Sequence, residues 1–218
     1  VLEGLKRLEY RGYDSSGLCY ITSNHLKLYK KRGKVADLKN LIPKKSFGDI
    51  VMGHTRWATH GKPNDTNAHP HVSMNNQLAI VHNGIIENYD ALKEGLIQRG
   101  YAFKSETDTE VLLNLIEYIK IDLNVSLLEA VQQTLTQVIG AYSIAVISVD
   151  EPEKMILAKK GSPLVIGVGK GEYFIASDPS PFLQYTKRAI YLDDGEVAEI
   201  SKEKLSILTI DKKIKSPS

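Results

Sequence analysis

The chain has 218 residues, hydrophobic content of 42% and 28 Lys+Arg against 26 Asp+Glu, a formal charge of +2. This composition excludes a disordered or fibrous chain and permits one sizeable core, and the balanced, alternating charge argues against nucleic acid as a partner. The longest clean apolar run, Tyr142–Val149, is far short of the ~18–20 residues a membrane span needs, no signal-peptide layout is seen, and the single cysteine, Cys19, excludes an internal disulfide framework and fits a reducing cytoplasm.

Apolar residues at 1, 2, 5 and 8 predict a helix over Val1–Tyr10, ended by Gly12. It opens with neither a capping residue nor a Met, so sequence is expected upstream of Val1; a frayed, tag-derived start is the alternative. Strands are predicted over Gly17–Thr22 and Leu26–Lys31 with a turn at Ser23-Asn24-His25, then a short helix over Lys34–Leu41 stopped by Pro43. Asp49–Thr55 and Gln77–His82 read as strands, and Arg56 to Asn76 between them as a long loop rich in His, Asn, Thr and Pro. Tyr89–Arg99 is helical up to Gly100. Thr107-Asp108-Thr109-Glu110 and Ser126-Leu127-Leu128-Glu129 have the form of capping boxes that open helices to about Leu123 and about Ile139. Strands follow at Ala141–Val149, Met155–Lys159, Pro163–Val168, Tyr173–Ala176, Ala189–Leu192, Val197–Ile200 and Leu205–Leu208. Helices grouped apart from strands predict α+β layers rather than a βαβ repeat. Residues 1–210 are read as one domain and 211–218, charged and ending Ser-Pro-Ser, as the start of a linker.

Five of the six histidines, His54, His60, His69, His71 and His82, fall within one short stretch. No helical His pair or Cys ligand accompanies them and proline breaks the loop, so they read as polar packing and loop hydrogen bonding; neither a metal nor a cofactor is expected. Gly167 to Gly171 has the wrong spacing for a phosphate loop and reads as a hairpin turn. Cys19, alternating with apolar neighbours in a strand, reads as a buried structural cysteine.

Three polar strings remain at the ends of elements: His54-Thr55-Arg56-Trp57-Ala58-Thr59-His60-Gly61, His82-Asn83-Gly84 and Ser105-Glu106-Thr107-Asp108. Singly they read as an exposed Arg, a turn Asn-Gly and an Asp that complements a helix dipole. Together they supply a guanidinium for a carboxylate, a carboxylate for an ammonium and an amide N–H pair for a developing oxyanion. A site hydrolysing the side-chain amide of a free amino acid needs those groups.

The same strings, with Leu8 to Ser15, Asn67 to His71, Asn83 to Asn88, Ser105 to Glu110 and Gly161-Ser162-Pro163-Leu164, resemble the glutaminase domains of the glucosamine-6-phosphate synthase family, the isomerising glutamine–fructose-6-phosphate aminotransferases, within the class II glutamine amidotransferases. The resemblance runs in order along essentially the whole chain. It implies a four-layer αββα sandwich of the N-terminal-nucleophile hydrolase type. It also implies L-glutamine as substrate, a covalently linked sugar-isomerase domain, and a parent protein that is a homo-oligomer. Matched by motif, Arg56 would hold the substrate α-carboxylate and Asp108 its α-ammonium. Trp57, Thr59 and His60 would line the pocket, Asn83 and Gly84 would form the oxyanion hole, and Arg11 would steady the nucleophile. The family's nucleophile is an N-terminal cysteine whose own α-amine is the base, and no residue here matches it: position 1 is Val and Cys19 lies elsewhere in the pattern. The chain by itself is therefore expected to be inactive. A glutamine-binding sensor that lacks the nucleophile, and another class II enzyme of the asparagine synthetase kind, stay open as alternatives.

Overall fold

The computed structural model describes residues 1–43, 48–57 and 61–211. Side chains of successive strand residues point to opposite faces, and in β1 (Ser15–Thr22) both faces are apolar. Leu18 and Tyr20 pack one way, Cys19 and Ile21 the other. Such a strand needs cover on both sides. β1 is the centre of a three-stranded sheet, flanked by β2 (His25–Arg32) and β3 (Val51–Arg56). Its outer face carries α1 (Leu2–Leu8), continued by a 3₁₀ turn at Glu9–Arg11, and α2 (Val35–Lys39), through Leu5, Val35 and Leu38.

A six-stranded antiparallel sheet lies against the inner face. It is built from β4 (His71–Val72), β5 (Leu78–Ile86), β6 (Gly140–Ser148), β7 (Met155–Lys160), β11 (Glu196–Ile200) and β12 (Leu205–Thr209), in the order β12-β11-β7-β6-β5-β4. β8 (Val165–Val168), flanked by β9 (Tyr173–Ala176) and β10 (Ala189–Tyr191), forms a second small sheet. Cys19, Met52, Ala79, Ile147, Leu157 and Ile166 meet between the sheets. On the far side of the large sheet, α3 (Tyr89–Ile97), α4 (Asp108–Asp122) and α5 (Leu127–Leu135) bury Leu96, Leu112, Ile116 and Val131 against Leu78, Ile80 and Val146. The layers run helix, sheet, sheet, helix, which is the expected αββα sandwich.

Three local readings are corrected. β5 does not stop at His82: it pairs with β6 from Leu78↔Ser148 to Ile86↔Gly140, so Asn83-Gly84 lies inside the ladder rather than after it. Gly84 has φ +121°, and a Cβ there would stand 2.1 Å from the Ala141 carbonyl oxygen, so glycine is required by the close approach of β6 and not by a turn. The Thr107 cap is half of a box. Thr107 Oγ1 accepts from Glu110 N–H at 3.3 Å, but the Glu110 carboxylate turns away to accept from the Lys104 and Ser105 N–H groups at 2.9 and 2.7 Å. The Ser126–Glu129 box closes in both directions. The loop after β3, predicted without structure of its own, contributes β4 to the edge of the large sheet.

Candidate active site

Three elements converge on one cavity of about 300 Å³: the end of β3, the second half of β5 and the first turn of α4. β3 turns Met52, His54 and Arg56 inward by simple alternation. α4 starts at Asp108, where the helix dipole favours a carboxylate. Arg56, Trp57, Asn83, Gly84, Asp108 and Arg11 all line this cavity, with Thr109, Ser162 and Ser177, so the sequence-predicted residues within the described chain come together. Thr59 and His60 lie outside the described residues.

Arg56 is buried, its side chain 5% exposed, with Nη1 3.9 Å from Asp14 Oδ1. Burial draws its pKa below the ordinary value while Asp14 and Asp108 hold it up, and a guanidinium so placed stays charged. Asp108 is also buried, and its Oδ2 accepts the Ile86 N–H at 2.8 Å, which clamps the start of α4 to β5 two residues beyond Gly84. A buried cation and a buried anion therefore face the same space, the arrangement that complements a zwitterion. Trp57, 68% exposed, stands at the mouth over Gly12, where φ is +89° and a Cβ would come within 3.0 Å of the indole. Arg11 lies at the rim and donates from Nη2 to Ser177 Oγ at 2.8 Å, with Asp178 3.4 Å from Nη1.

The floor is a set of buried imidazoles. His54 Nε2 lies 2.7 Å from Asn83 Oδ1, and its ring stacks on His69 with centroids 4.5 Å apart. His82 Nδ1 meets Thr109 Oγ1 at 2.8 Å, and His71 Nε2 meets Thr107 Oγ1 at 2.9 Å. Burial pushes His54 down to about 4 and carries His69 and His71 well below the usual histidine range, so all three are neutral near pH 7. Among the described residues no three His, Cys, Asp or Glu side chains are grouped to hold a metal. His54, His69 and His82 line the cavity, while His71 stands behind them, edge-on to His69; motif reading missed the first three as parts of the site, and the crowding of histidines between 54 and 82 was the available signal. Cys19 is fully buried between the sheets, does not line the cavity, and has its thiol pushed up to about 12 by burial. A thiol held protonated is a poor nucleophile.

A second cavity of about 450 Å³ adjoins the first and shares Arg11, His54, Thr55, His82, Asn83 and Ser177 with it. No helix among the described residues is long and apolar enough to cross a membrane.

The family described as "Glutamine amidotransferase domain" matches residues 54–184, over half of the chain, and the match takes in the end of β3, all of β5 and the start of α4. The chain is 54% identical over 206 residues to a glutamine–fructose-6-phosphate aminotransferase (isomerizing) of Bacteroides thetaiotaomicron, covering 94% of this chain and 34% of that protein. It is 47% identical over 214 residues to the protein of the same name from Pyrococcus horikoshii, covering 96% and 35%. The chain thus spans about a third of the length of the curated relatives it matches. Among solved structures, the glutamine phosphoribosylpyrophosphate amidotransferase of B. subtilis superposes with a TM-score of 0.82 at 28% identity, over 98% of this chain and 46% of that one. By the family match over the residues that build its cavity, the chain belongs to the glutamine amidotransferase domain family.

Proposed function

We propose that the chain is the glutaminase domain of an isomerising glutamine–fructose-6-phosphate aminotransferase, releasing ammonia from L-glutamine for the synthesis of glucosamine 6-phosphate. The observation that carries this reading is the pair Arg56 and Asp108, opposite charges buried on one cavity with Asn83 and Gly84 also on its wall. Relatives that bear this enzyme's name at 45–54% identity support it. On this reading Arg56 takes the glutamine α-carboxylate, Asp108 the α-ammonium, and Trp57, Thr59 and His60 enclose the side chain. A thiolate attacks the side-chain carbonyl carbon, and the negative charge that moves onto oxygen is met by Asn83 Nδ2–H and Gly84 N–H. The C–N bond breaks, ammonia leaves with a proton from the base, and water hydrolyses the thioester to glutamate. The nucleophile is the family's N-terminal cysteine with its α-amine as base, a group that titrates close enough to neutral to shuttle the proton. Residues 1–210 form the domain and 211–218 lead towards a sugar-isomerase domain that uses the ammonia, in a homo-oligomeric parent in the cytoplasm.

Glutamate and ammonia release tests the reading directly. The 218-residue chain is expected to show none above background, and the chain extended by the family's whole N-terminal segment, which begins Met-Cys-Gly, is expected to turn over. Turnover by the unextended chain that Cys19→Ser abolishes would overturn the structural role of Cys19. An inert extended chain, folded and with its N-terminal cysteine free, would overturn the glutaminase assignment.

A further inference from the structure

We propose that His54 is a positioning residue for the oxyanion donor: its Nε2–H fixes the amide of Asn83 in the one orientation that aims Nδ2–H at the reacting carbonyl. The proposal rests on the reading of Asn83 as that donor. A side-chain amide is nearly symmetric in shape, and a half-turn about its last torsion exchanges N–H₂ for C=O. In the wrong orientation it would present an acceptor lone pair to the oxyanion. Something must therefore break the symmetry, and His54 is the group in place: Nε2 lies 2.7 Å from Asn83 Oδ1, and the ring is buried against His69.

Two protonation patterns satisfy that short contact, and burial chooses between them. If Nε2 carries the proton, it donates to Oδ1, and the buried Nδ1, which has no hydrogen-bond partner, is a bare lone pair. If Nδ1 carries it, the amide must flip, and the buried N–H meets no acceptor in hydrogen-bond geometry, the His82 backbone beside the ring supplying at most a weak one. Orphaned buried N–H groups are rarer in folded proteins than under-satisfied acceptors, so the first pattern is favoured. The imidazolium, with a proton on each nitrogen, is disfavoured by burial. A neutral Nε2–H imidazole is left, and it presents a single donor to the amide oxygen.

Long-range ¹H–¹⁵N correlation of the imidazole nitrogens in the 218-residue chain at pH 7 reads this without any catalysis. The expected result is a protonated Nε2 and a bare Nδ1 on His54; the opposite tautomer or an imidazolium overturns the proposal. In the parent enzyme with its nucleophile, His54→Phe removes the donor and keeps a ring, and is expected to lower kcat about 10-fold or more with KM for glutamine little changed, less than the ~10²–10³ that loss of the donor itself costs. His54→Gln, which restores an N–H in that direction, should recover part of the loss. In an Asn83→Ala background, His54→Phe should have almost no further effect on kcat, because the group it orients is gone. Full additivity of the two substitutions would show that His54 acts through packing and not through Asn83. Should the parent show no glutaminase activity at all, the functional reading fails, whereas the tautomer still decides how the amide is held.

Discussion

Arg56 and Asp108 sit in a balance that any substitution tips. Each is a buried charge beside others, and Arg56 has Asp14 at 3.9 Å as well as the cavity in front of it. If Arg56 holds the α-carboxylate as proposed, then in an active form of the domain Arg56→Ala is expected to raise KM for glutamine about 30-fold, equivalent to about 2 kcal/mol for a charge-assisted contact, with kcat nearly unchanged, since such a contact is the same in ground and transition states. A fall confined to kcat would place Arg56 nearer the chemistry than the substrate α-carbon. Asn83→Ala is expected to behave in the opposite way, losing about 10²–10³ in kcat with little change in KM, because the oxyanion exists only once attack has begun. Steady-state kinetics on the pair separates the two roles. That both residues reach one cavity could be expected from short strings, because each stands in a distinctive local sequence. The histidine floor was not, since His82 meets Thr109 across 27 residues and His71 meets Thr107 across 36. Such partners are brought together only by the stacking of layers.

β5 shows why an element can be recognised and its end still be misplaced. Asn-Gly after an apolar run is a strong short signal that a strand has ended, and the Gln77–His82 expectation stops there, although Asn83 and Gly84 read as an amide pair and not as a hairpin. The ladder with β6 nevertheless continues four residues further, to Ile86↔Gly140. The glycine serves here to admit the Ala141 carbonyl, a contact with a residue 57 positions away that no local pattern contains. Gly84→Ala combines a Cβ at 2.1 Å from backbone with a φ of +121°, and backbone cannot swing aside as a side chain can. It is expected to cost more than about 3 kcal/mol in urea denaturation, or to prevent folding. A loss of less than 1 kcal/mol would mean that β5 and β6 separate easily at this point, and that the site's rigidity comes from elsewhere. Where no remote contact competes, the elements followed the sequence closely: β9 spans Tyr173–Ala176 as predicted, and the Ser126 box opens α5 where the spacing put it.

For the whole molecule, the neutral histidines under the cavity set how stability depends on pH. Burial holds His54 at about 4 and His69 and His71 well below the ordinary value near 6.5, which is where the same groups titrate in the unfolded chain. As pH falls through 6.5 the unfolded chain takes up protons that the folded chain refuses. The stability these groups contribute is therefore intact above about pH 6.5 and is lost as pH falls towards 4. Each works against the fold by up to about 1.4 kcal/mol per pH unit in that window, and all three act in the same direction. Against the ~5–15 kcal/mol of a typical domain, slopes of that size move acid unfolding upward from the carboxylate range. The carboxylates whose pKa is lowered, Glu106, Asp150 and Asp194, act only below that window, so they do not account for losses above pH 5. Urea titrations at pH 8, 6.5 and 5 are expected to give similar midpoints at the first two and a much lower one at the third. His71→Gln, which cannot titrate and can still bond Thr107, should reduce the loss between pH 6.5 and 5 by about a third. A midpoint unchanged at pH 5 would show that the imidazoles protonate in the folded state. The floor that holds Asn83 and the start of α4 would then be open to water.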